Sequence, residues 1–102
     1  MMTANGARGE ATAVLAGAAR KLCLTLGAMA EMETGLGVSG LEALAQRMRT
    51  LSAGDLMVVL GALLRGGGEG AFADRLAEAQ VALEEAAAAV AEAFAVGVGR
   101  RP

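Results

Sequence analysis

The chain has 102 residues, of which 55% are hydrophobic and 2% aromatic, and its 9 basic and 11 acidic side chains leave a formal charge of −2. That length holds one small domain, and that charge balance offers nucleic acid no electrostatic attraction. With no histidine and a single cysteine, Cys23, histidine-based triads, most zinc sites and an internal disulfide are excluded, and the lone thiol fits a reducing compartment.

Phe72 and Phe94 are the only large rings, so the core must come from Leu, Val, Met and Ala, which suits closely packed helices. The longest charge-free runs, such as 56–64, fall short of the roughly 20 residues a membrane span needs, so a soluble chain is expected. The stretch AVLAGAA at 13–19 has too short an apolar core for a secretory leader, and only Arg8 as its basic flank. A bacterial cytoplasmic location follows as the expectation.

In chain order, residues 1–9 are small and polar without periodicity and predict a flexible tail. The segment 10–25 predicts a β-hairpin. Its first strand is ATAVLA, Gly17 supplies the turn, and a second strand runs from about Ala19 to Thr25. Alternation in that second strand places Leu22, Leu24 and Leu26 on one face, which must pack on helices because a lone hairpin is unstable in water.

Thr25 fits the N-cap of a first helix over about 26–34. Helical spacing puts Met29, Met32 and Leu36 on one stripe, with Ala28 and Glu31 pointing away, and Gly35 with Gly37 marks the end. Ser39 with Glu42 forms a capping-box pattern for a second helix over about 40–49. Leu41, Leu44, Ala45 and Met48 make its apolar stripe, opposite Glu42, Gln46, Arg47 and Arg49.

Ser52 with Asp55 repeats the start signal for a third helix over about 53–65. Its centre, LMVVLGALL, is apolar on nearly every face, as in the buried middle of a domain or a helix that shows one side to a partner. Gly66, Gly67 and Gly68 end it. A last helix is predicted over about 71–95, with Phe72, Leu76, Leu83, Ala87, Val90 and Phe94 on one side and Asp74, Glu78, Glu85 and Glu92 on the other. Residues 97–102 read as a flexible end. The fold expected is therefore a single domain over 10–96, α+β but mostly helical, with an N-terminal antiparallel β-hairpin packed on about four α-helices.

Chemistry-bearing motifs do not survive their context. Gly35 to Gly40 spells GxGxxG with Asp55 downstream, but it follows a helical pattern and opens no βαβ unit, so it reads as a helix stop and start. The Gly66–Gly68 run lacks the Lys-Ser/Thr pair of a phosphate loop. Cys23 has no partner base and reads as a packing residue. No catalytic, cofactor or metal residue is assigned. Candidate partner-contact residues are Met29 and Met32, as an adaptable apolar pair, with Glu31 and Glu33 beside them.

Several segments standing in order carry a resemblance. They are Gly9-Glu10 opening a strand, the turn at Ala16-Gly17, LCLTLGAMAEME at 22–33, Gly35-Leu36-Gly37, LSAGDL at 51–56 and LRGGG at 64–68. Together they resemble the small gene transfer agent family of phage-like tail clusters, whose members are described as tail tube proteins or tail assembly chaperones. The resemblance implies a non-enzymatic role in building a tail, through contacts with tape measure and tail tube proteins and with possible self-association. The family's usual Asp-Gly hairpin turn is here Ala16-Gly17, and from Ala71 onward the likeness is limited to an alanine-rich helix. The residues alone leave two rivals open: a generic helical adaptor that dimerises through its first or third helix, and a small-ligand binder at the glycine loop.

Overall fold

The computed structural model describes residues 9–98. The tail expected at 1–8 and the end expected at 99–102 lie outside the described residues. The hairpin is formed by β1 (Glu10–Leu15) and β2 (Ala18–Cys23), and five helices follow: α1 (Leu26–Leu36), α2 (Leu41–Met48), α3 (Ala53–Gly66), α4 (Gly70–Asp74) and α5 (Leu83–Gly97). A 3-10 turn at Leu76–Glu78 lies between α4 and α5. The mostly helical α+β class is as expected.

β1 and β2 pair antiparallel in a two-stranded sheet, with Leu15 opposite Ala18 and Glu10 opposite Cys23. Ala16 and Gly17 form the two-residue turn, both left-handed at φ 55° and 82°. That geometry matches the right-handed twist of the strands, but it costs alanine about 1 kcal/mol that Asn or Gly would not incur. One face of the hairpin buries Ala11, Leu15 and Leu22. The expected three-leucine face is corrected at Leu26, which is 84% exposed. The strand ends at Cys23, so Leu26 opens a helix instead of continuing the alternation.

α3 is the central element. Val59, Leu60, Gly61, Ala62, Leu63 and Leu64 are all buried along it, and it packs on α1, α4, α5 and β2. Its start is the expected capping box: the Ser52 hydroxyl accepts from the Asp55 amide, and the Asp55 carboxylate accepts from the Ser52 amide. At its far end the backbone itself meets the hairpin. A Cβ on Gly66 or Gly67 would collide with the carbonyl oxygens of Cys23 and Lys21 respectively. Glu69, just past this end, accepts from the Lys21 amide at 3.0 Å and closes the outer edge of β2.

α1 begins as expected, with the Thr25 hydroxyl accepting from the Ala28 amide at 2.9 Å. It runs through Gly35 and stops at Leu36, and Gly37 alone is the left-handed cap at φ 71°. Its buried row is Ala28, Met32 and Leu36, with Met29 at the flank. The expected outward Ala28 is corrected because α1 lies close against α3. A Cβ on Gly35 would sit 2.5 Å from Val58 Cγ1, so small residues must face inward there.

α2 is corrected at its start. Its N-cap is Gly40 at φ 93° with no side-chain cap, so Ser39 and Glu42 form no capping box. The Glu33 carboxylate accepts from the Gly40 amide instead, at 2.8 Å. Leu44 is the one fully buried residue of α2, while Leu41 and Ala45 are exposed, because this helix lies at the periphery. Arg47, expected on the outer side, turns in: it grips both Asp55 oxygens at 2.9 and 3.1 Å and donates to the Leu36 carbonyl at 3.3 Å.

The expected helix over 71–95 is broken. α4 ends at Asp74, and after the 3-10 turn the chain is extended at Ala79 before α5 begins. A continuous helix of that length would run about 37 Å, whereas the molecule's longest extent is 36 Å. Breaking at 79–82 lets α5 turn back and cover β1. Its core face becomes Ala86, Ala89, Val90 and Ala93, rotated from the stripe of Leu83, Ala87, Val90 and Phe94 that the spacing suggested. α5 also continues through Gly97, inside the segment expected to be loose.

Candidate partner-binding surface

The rotation of α5 has a direct consequence at the surface. Part of its second apolar stripe, at Leu83, Ala87 and Ala91, is left exposed, across a gap from the start of α3 and the end of α2. Leu83, Ala87, Val90, Ala91 and Phe94 form one wall of this gap, and Met48, Leu51 and Leu56 form the other. The gap holds about 560 Å³. A second, smaller furrow adjoins it, lined by Ala53, Leu56, Met57 and Leu60 of α3 and by Leu76, Ala79, Val81 and Leu83 of the crossing segment. Leu56 and Leu83 line both, so the two make one apolar trough.

Leu83 is 68% exposed and Met57 43% exposed, so large side chains at the trough remain open to solvent. Contiguous exposed apolar surface of this kind marks sites of protein contact. The stripe Leu83, Ala87, Val90, Phe94 has the 4-3-4 spacing that one helix uses to receive another. Sequence periodicity placed these residues on one side of the last helix; in the structure that side is split, with Val90 in the core and Leu83 and Ala87 exposed. The signal that could have separated the two faces was the extra row of alanines at 86, 89 and 93, which permits close helix packing.

The four residues proposed from sequence are not assembled into one surface. Met32 is fully enclosed in the core. Met29 is half-buried on the flank of α1. Glu33 holds the Gly40 amide. Glu31 pairs with Arg65, which also reaches Asp74 at 3.1 Å and so ties α1, α3 and α4 together. The Glu31 carboxylate is the main cause that raises the Arg65 guanidinium above its ordinary value. At the other end of α3, Asp55 is held below its ordinary 3.8, first by the Ser52 amide and then by Arg47.

Cys23 is buried. Among the described residues no group of three or more His, Cys, Asp or Glu is placed to hold a metal ion, and no helix is long and apolar enough to cross a membrane. The glycines at 35 and 37 are a helical packing position and a helix cap.

Fold and surface together define a small helical domain whose feature is an open apolar trough on a tightly packed scaffold. The family model described as phage tail tube protein, GTA-gp10, matches residues 8–99, and the chain belongs to that family of gene transfer agent tail proteins. The family is non-enzymatic, and membership implies contacts with other tail proteins. No curated protein and no solved structure gives a match.

Proposed function

We propose that the chain is a tail assembly chaperone, which acts in the bacterial cytoplasm by coating the tape measure protein and recruiting tail tube subunits. The observation that carries this reading is the sheet, which has only two strands among the described residues. A tube subunit must build a ring wall, and a substantial sheet is the usual way to do so. The trough between α3 and α5 supports the same reading, because it offers an apolar, helix-spaced seat without any reactive group. Met29 and Glu31, on the flank of α1, are secondary contact candidates. The family's own description favours a second reading, a component of the tail tube itself.

Pull-down from particle-producing cells tests the proposal. A tape measure or tube protein should be captured before particles mature, and the chain should be missing from purified particles. Capture of neither protein, or stoichiometric retention in the finished tube, contradicts it.

A further inference from the structure

The charges beside the trough limit what can lie in it. From Leu76 to Val98 the chain carries four glutamates, at 78, 84, 85 and 92, and no basic residue. All four are exposed. Glu78 stands between Ala77 and Ala79, which line the smaller furrow. Glu84 follows Leu83 and precedes Ala91 by seven residues, and both of those line the larger gap. Seven residues turn a helix through about 700°, so Glu84 stands about 20° from Ala91, at the outer rim of the α5 wall. The carboxylates of Glu78 and Glu84 have no hydrogen bond or ion pair among the described residues, whereas Arg20, Lys21, Arg47 and Arg65 are all paired within the fold. On the opposite wall, the exposed Arg49 lies in the chain between Met48 and Leu51.

Opposite charges across an interface steer encounter and select partners, and like charges reject them. An acidic rim therefore turns away nucleic acid and anionic lipid surfaces. Both walls are helical, with their backbone groups bonded internally, so an extended segment would find no ladder here, whereas a helix satisfies its own backbone. On the reading that the trough seats a partner protein, we propose that the occupant is a basic amphipathic helix. Its apolar stripe fills the trough, and lysine or arginine lines the flank that faces α5.

The test is binding of two synthetic helical peptides to the full chain, read by fluorescence anisotropy. The peptides share a leucine stripe of 4-3-4 spacing and differ only in carrying lysine or glutamate on the flank. At about 50 mM salt the lysine peptide should bind about tenfold tighter, and at about 500 mM salt that preference should shrink. Glu84→Lys should cut the preference by about threefold or more. The double variant Val14→Lys, Leu26→Lys changes net charge by the same amount at exposed residues outside the trough, and should retain the preference. Equal binding of the two peptides, binding of neither, or an equal fall in the double variant overturns the proposal. A chain that prefers the lysine peptide and captures no tail protein contradicts the chaperone reading alone. A chain that captures tail proteins and binds both peptides equally contradicts the basic helix alone.

Discussion

The two ends of α3 meet the rest of the molecule in opposite ways. At the C-terminal end, Gly66 and Gly67 lie against the backbone of β2 with no room for a side chain, and Glu69 and Arg65 lock the neighbouring elements. At the N-terminal end, Leu56 and Met57 face a gap, and the wall opposite carries the exposed Leu83. One end spends its apolar and backbone surface on the fold. The other keeps apolar surface in reserve, which is how a domain with no reactive groups can still act.

That contrast is sharpest under mutation. Gly67→Ala pushes a methyl group into the Lys21 carbonyl, which is backbone and cannot turn aside. A loss of about 3–5 kcal/mol is expected by chemical denaturation, enough to unfold many small domains. Leu63→Ala, at a position with no exposure in the middle of α3, should cost about 3 kcal/mol in the same assay.

A smaller effect is expected from acid at the open end. Asp55 has a folded pKa below its ordinary 3.8, so its contribution is present above that value and is lost as pH falls through the folded pKa. The denaturation midpoint of the native chain should therefore drop on going from about pH 7 to about pH 3. Asp55→Asn should flatten this part of the profile, and an unchanged slope in that variant would show that the Ser52 and Arg47 contacts do not couple to folding.

Ala16→Asn should raise stability by about 0.5–1 kcal/mol, because Asn tolerates the left-handed turn that Ala16 adopts at strain. Smallest of all, Leu83→Asp should change stability by less than about 0.5 kcal/mol, since this side chain stands mostly in solvent. If Leu83→Asp unfolded the chain, the trough would be part of the scaffold and the contrast between the two ends of α3 would fail.

Local signals were legible where one short stretch decides the outcome. Thr25 and the Ser52–Asp55 box mark helix starts by their own side chains, Gly17 marks the turn, and the fully apolar centre of α3 marks the core. Signals failed where a distant partner decides. Glu33 displaced Ser39 as the group that closes the start of α2, and no pattern within 39–42 records this. Ala28 turned inward because Gly35 draws α1 close to Val58 on another helix. The break after α4 has the same origin: alanine-rich sequence favours helix throughout 71–95, but the bend follows from α5 having to cover β1. The trough is a product of that bend, so periodicity along α5 could group its residues without showing which of them stay exposed.

On this reading the open end of α3 and the facing stripe of α5 receive another tail protein. The deciding measurement is capture of tape measure and tube proteins by the native chain and by Leu83→Asp, both first verified as folded by circular dichroism. Capture by the native chain and its loss in the folded variant is the predicted result. Equal capture by both would place the contact elsewhere on the molecule.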